Sequence, residues 1–196
     1  MQRRLGWVVL AGWLVCQAPA AWATTYAIDP DHTTASFKIR HLFSKVEGTF
    51  DQLEGRFDYV PGHPEQWKAA ATIQATSINT RVAQRDKHLR SADFFDAGKF
   101  PTIEFASAEV TEATEMGAKL HGVLTIHGVQ KPVVLDLSVH GEGKDPWGNV
   151  RSGFTATTRI NRKEFGLNWN QALETGQLLV GEEVDITLEV EGIVKS

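Results

Sequence analysis

The eight residues VDITLEVE, Val184 to Glu191, alternate apolar and polar side chains without a fault. Successive side chains of a strand point to opposite faces, so this stretch reads as a strand with one face buried and the other in water. The same period of two recurs along the chain, in Ala35, Phe37 and Ile39; in Trp67, Ala69, Ala71, Ile73 and Ala75; and in Ile103 and Phe105. It continues in Leu120, Gly122, Leu124 and Ile126; in Val133, Leu135, Leu137 and Val139; and in Phe154, Ala156 and Ile160. Between Val46 and Tyr59 the parity switches, from Val46, Gly48 and Phe50 to Leu53, Gly55, Phe57 and Tyr59. One extra residue near Asp51-Gln52, a bulge or a sharp bend, keeps both sets inward. The count is roughly eight strands, joined by turn sequences such as Pro61-Gly-His-Pro64, His127-Gly-Val-Gln-Lys-Pro132 and Asp145-Pro-Trp-Gly-Asn149. Connectors this short hold no crossover helices, so the sheet is antiparallel. The predicted fold is all-β: an eight-stranded antiparallel barrel, favoured over a sandwich because closure removes the edges. The inward positions hold many small residues, among them Ala35, Gly48, Ala69, Ala71, Ala75 and Gly122. Either they interdigitate with Phe, Ile and Leu in a filled core or they leave room for a ligand, and alternation alone does not choose.

One segment escapes the period. Residues 80–97 read as a short two-part helical insertion, with Asn79 or Thr80 as cap, Asp86 and Arg90 spaced to pair at i,i+4, and a second turn starting at Ser91. Its stretch RDKHLRSADFFD, Arg85 to Asp96, sets charged side chains against two adjacent phenylalanines. Asp86 and His88, two residues apart, point to different sides of a helix and make a poor acid–base pair. Arg81 with Arg85, or Arg85 with His88, share a side and are candidates to hold a polar head group. On a solvated helix face the same charges would do no more than form local ion pairs. Phe94 and Phe95 cannot both point outward on a short turn, so at least one should plug or rim the barrel.

The ends and composition bound the rest. Arg3 and Arg4, the apolar run from Leu5 to Cys16, and Ala21-Trp22-Ala23 form the pattern of a secretory leader, residues 1–23, with a barrel domain over 24–196. The only cysteine, Cys16, lies in that leader. The net charge is -4 over the 196 residues, and it becomes more negative without Arg3 and Arg4, which argues against nucleic-acid binding. His121 and His127 share a strand face but lack a carboxylate pattern, and the remaining histidines have no ligand spacing, so no metal site is expected. No nucleophile elbow, phosphate loop or zinc-protease motif is present, and no catalytic residues are assigned.

The run Arg85-Asp-Lys-His-Leu-Arg-Ser-Ala-Asp-Phe94, followed by Phe100-Pro-Thr-Ile-Glu-Phe105, resembles the hallmark segment of the YceI family of periplasmic, lipocalin-like polyisoprenoid-binding proteins. Further pieces match in order: Tyr26-Ile28-Asp29, Phe37-Ile39-His41, Gly48-Thr-Phe50, Leu124-Thr-Ile-His-Gly-Val129, Asp145-Pro-Trp-Gly148, and Asn161-Arg162 with Phe165-Gly166. The resemblance implies a barrel enclosing a long apolar chain, such as a polyprenyl quinone or related isoprenoid lipid, with no covalent cofactor and no fixed catalytic residues. The expected lining or mouth is Phe37, Ile39, Phe50, Ile73, Ala75, Phe94, Phe95, Phe105, Leu124, Leu137, Phe154 and Trp169, with Arg81, Arg85 and His88 near a head group. Two other functions compete. One is a stress-response or interaction module that touches the membrane or a membrane redox protein; the other is a head-group enzyme using Arg85, Asp86 and His88.

Overall fold

A computed structural model describes residues 23–194. The expected leader, its Cys16 and all of its apolar run lie outside the described residues apart from Ala23. Eleven strand segments follow in chain order: β1 (Thr24–Ile28), β2 (Thr34–His41), β3 (Ser44–Phe50), β4 (Leu53–Tyr59), β5 (Lys68–Gln74), β6 (Ile78–Asn79), β7 (Thr102–Thr111), β8 (Gly117–Ile126), β9 (Val129–Lys144), β10 (Val150–Asn161) and β11 (Val180–Val194). All pairings are antiparallel. β1 and β2 both pair with β11, at Tyr26↔Val194 and Ala35↔Leu188, so they are two halves of one barrel strand interrupted by the turn Pro30–His32. β3 and β4 pair with those halves in turn, and the bend between them falls at Asp51-Gln52, where the parity switches. β5 and β6 continue the next strand on either side of the turn Ala75–Ser77. Five uninterrupted strands complete the ring, which closes through β1 and β11 into the expected eight-stranded antiparallel barrel, with one α-helix among the described residues.

One end of the barrel is packed solid. Tyr26 is fully buried, its ring stacks on Phe57 at 5.0 Å, and Phe154 meets Phe57 edge-on at 5.0 Å. Val190, Leu188 and Ala69 close around them. Gly192 permits this, because a Cβ there would lie 2.4 Å from the Phe57 ring. Several small inward residues therefore serve packing and not emptiness: a Cβ at Gly48 would meet Phe37 at 2.5 Å, and one at Gly122 would meet Phe105 at 2.5 Å.

Near that end Arg151 ties the interruption in the first strand to the loop after β9. Its Nη1 donates to Asp29 at 2.7 Å and to Glu191 at 2.6 Å, while Nε donates to Asp145 at 2.9 Å. Asp29 is held below the usual carboxylate range chiefly by the Arg151 hydrogen bond, and Asp145 well below it by the Asn149 amide and then by Arg151. Carboxylates depressed in the folded state contribute stability above their unfolded pKa, about 4, and lose it as pH falls through the folded values. Stability to urea should therefore be flat from neutrality to about pH 4 and fall below it. Arg151→Gln should lower it at neutral pH and flatten the acid limb; an unchanged acid limb would contradict this role.

The insertion departs from expectation in detail. The helix α1 (Ala83–Leu89) begins after Val82, which offers no side-chain cap. Arg81 takes a left-handed backbone (φ 64°) that turns the chain before the helix starts. Asn79 accepts from Arg81 N, and buried Asp86 reaches back to accept from Thr80 N at 2.9 Å. Asp86 therefore makes no pair with Arg90, whose Nη2 donates instead to Ile78 O at 2.7 Å. Ser91 to Lys99 continue as hydrogen-bonded turns and not as a second helix.

Candidate functional site

The other end of the barrel is hollow. A cavity of about 600 Å³ lies beneath the insertion and the loop that follows β10. Aliphatic and aromatic side chains make almost all of its wall, and many of them, including Phe37, Ile39, Ile73, Leu124, Val184 and Ile186, stay only half-buried although they face inward. Filled cores bury such residues, so their residual exposure is the signature of an interior that side chains do not occupy. The wall also includes Val82 and Gln84, both exposed, which marks where the cavity meets the surface.

Of the residues expected to line it, Phe37, Ile39, Phe50, Ile73, Phe94, Phe95, Phe105, Leu124 and Trp169 stand in the wall. Three do not. Ala75 opens the turn that interrupts its strand and is buried outside the cavity, its N–H bonded to Pro101 O at 2.8 Å. Leu137 and Phe154 belong to the filled half, beside a void of only about 30 Å³. Their alternation is correct; their height along the barrel axis is what puts them out of reach.

Aromatic side chains form the roof. Trp169 meets His88 at 5.0 Å and Phe94 at 5.1 Å, and His88 meets Phe94 at 5.1 Å. Phe95 reaches down to Phe50 at 5.7 Å, which in turn touches Phe37 at 5.8 Å. Thus Phe94 and Phe95 both turn inward, one into the roof and one into the wall.

The charged candidates divide. Arg81 is exposed and stands away from the cavity. Arg85 is on the wall, but its Nε and Nη2 are tethered to Thr80 at 2.7 and 2.8 Å. His88 is on the wall with its Nε2 2.8 Å from Asp93. Asp86 and Arg85 meet on the Thr80 hydroxyl, which donates to Asp86 and accepts from Arg85 Nε, so both are engaged within the protein and apart from His88. Elsewhere Asp29, His32 and Glu191 approach as metal ligands do, but the Arg151 guanidinium already bridges the two carboxylates. His121 bonds Thr111 at 2.8 Å, and His127 lies against Phe100 at 4.5 Å.

Other wall residues lie outside the expected set, and one of them is a buried charged side chain. Arg162, 3% exposed, follows β10 and continues the inward parity of Phe154, Ala156, Thr158 and Ile160. A charged side chain on an inward position is the signal that could have singled it out. Burial lowers its pKa, and the charge of Glu182 opposes that shift.

Comparison with known proteins gives a consistent result. The model of the YceI-like domain matches residues 26–192. A UPF0312 protein of Pseudomonas putida (strain W619) is 38% identical over 185 residues, covering 93% of each chain. Among solved structures, BcnA of Burkholderia cenocepacia superposes with a TM-score of 0.74 at 22% identity, over 84% of this chain and 98% of that one. A domain from Saccharophagus degradans described as polyisoprenoid binding superposes with a TM-score of 0.67 at 16% identity, over 88% and 99%. At these identities the two structures speak for the fold.

Proposed function

The chain belongs to the YceI family, and on that footing we propose that it binds a long-chain isoprenoid, a polyprenyl quinone or a similar amphiphilic lipid, and carries or stores it without catalysis. The observation that carries this reading is the apolar cavity of about 600 Å³. The polyisoprenoid-binding description of one structural neighbour supports the same ligand class. At roughly 30 Å³ per non-hydrogen atom, taking the share of a water in the liquid as a guide, the cavity holds about twenty atoms, or about four isoprene units. Each buried methylene contributes about 0.8 kcal/mol, so a chain of this length can offset the association penalty without many polar contacts.

A length series tests this. Delipidated protein titrated with prenols of ten, twenty and forty carbons should bind with affinity rising steeply to about twenty carbons and then levelling off, because further units project through the mouth. No saturable binding of any of them would contradict the proposal. A head-group enzyme using Arg85, Asp86 and His88 is the weaker reading, since Asp86 and His88 are engaged with Thr80 and Asp93.

Residues 1–23 fit export to the periplasm, where an insoluble chain has to be taken from and returned to a membrane. The tip of the β2–β3 hairpin suits that exchange. Phe43 there is 93% exposed, and its neighbour Leu42 bonds through N–H to Leu179 O on the cavity rim at 2.9 Å. An aromatic side chain in that place can enter the headgroup region of a bilayer and set the mouth against the lipid phase. Phe43→Ser should slow prenol transfer between vesicles several-fold and leave the equilibrium affinity unchanged; equal transfer rates would remove Phe43 from the exchange step.

A further inference from the structure

Arg162 opens the short turn Arg162–Phe165 directly after β10 and is part of the cavity wall. Two of its guanidinium nitrogens are fixed by backbone carbonyls: Nε donates to Gly181 O at 2.8 Å, and Nη1 donates to Leu167 O. The third, Nη2, is buried and has no hydrogen-bond partner among the described residues. Among the described residues no carboxylate is in ion-pair contact with Arg162: Glu182, whose charge acts on it from farther off, is itself bonded to Lys163 Nζ at 2.6 Å. A buried guanidinium with an unmade hydrogen bond and no carboxylate in contact is unfavourable in the empty protein, and an oxygen anion that reached Nη2 would supply both the missing acceptor and a contacting charge.

We propose that Arg162 receives the head group of the bound lipid and that this head group is acidic, a carboxylate or a phosphate. The proposal rests on the lipid-binding reading and adds the class of head group to it. Arg162 lies under the same loops as the mouth, so the acidic end is held near the opening and the tail runs past Ala71 and Phe105 toward the filled half. Two carbonyls hold the guanidinium in position, so little rotamer freedom is lost when the anion arrives. Arg85, His41 and His88 are the other basic side chains on the wall; Arg85 and His88 are tethered by the protein itself, and Arg162 is the one whose guanidinium is buried with a nitrogen left over.

The test compares three probes sharing one sixteen-carbon chain, hexadecanoate, hexadecyl phosphate and hexadecanol, on delipidated protein at mildly alkaline pH. Hydrogen bonds to charged groups support a preference of roughly tenfold to a hundredfold for one or both acids over the alcohol, and the better acid identifies the head-group chemistry. In Arg162→Gln that preference, read as the ratio of acid to alcohol affinity within the variant so that a general change in binding cancels, should collapse to within about threefold; Arg162→Lys should keep part of it. Equal binding of all three probes to the parent protein, a result that needs no variant, would overturn the assignment and leave the lipid site standing. A preference that survives in Arg162→Gln would also overturn it. Failure of all three to bind would refute the lipid reading itself.

Discussion

Ala71→Trp should abolish lipid retention while leaving the lipid-free barrel at least as stable as the parent. Ala71 lies in β5 opposite Gly55 and Phe105, and its side chain faces the cavity. The exchange adds nine side-chain atoms, about 270 Å³ at roughly 30 Å³ each, close to half of the space. Large residues forced into filled cores destabilise, but here the indole enters a void and gains dispersion contacts that its neighbours lacked. Affinity for a twenty-carbon prenol should fall at least tenfold, with the melting temperature of delipidated protein unchanged or raised. Loss of folding would show that the cavity is smaller than described, and full retention would show that the ligand lies elsewhere.

Phe57→Ala should have the opposite character. Phe57 is 3% exposed, stacked on Tyr26 and met edge-on by Phe154, at the centre of the filled half. Truncating a buried phenylalanine costs about 3–5 kcal/mol, from lost transfer energy and from the cavity left behind. Urea unfolding should register that loss. At temperatures where the variant remains folded, the affinity for a ten-carbon prenol should be unchanged, because Phe57 does not line the hollow half. A loss of affinity without a loss of stability would contradict the division of the barrel into a packed half and a binding half.

That division was not legible in the sequence, although the barrel was. Period-two alternation gives the strands, and the parity switch at Asp51-Gln52 marks a bend, because each property is local to one strand. Whether a small inward residue leaves space depends on what faces it from another strand. Gly48 and Gly122 are filled by the rings of Phe37 and Phe105, whereas Ala71 is not filled. For the same reason Leu137 and Phe154 have the right parity and the wrong height. Helical spacing offers Asp86 an i,i+4 partner in Arg90, yet its carboxylate turns inward to satisfy Thr80, a contact that spacing does not encode. Arg162 was legible by parity alone, since it extends the inward series of β10, but its two carbonyl contacts come from Leu167 and Gly181 and belong to the tertiary structure.

The central claim is that the hollow half of the barrel holds a lipid. Mass spectrometry under native conditions on protein from cells that make it, followed by organic extraction and lipid identification, tests that claim most directly. The expected result is a complex of one protein with one amphiphile, whose apolar chain is at least about twenty atoms long, released as the barrel unfolds. Protein that carries no lipid and, once offered prenols and sixteen-carbon amphiphiles, takes up none would contradict it.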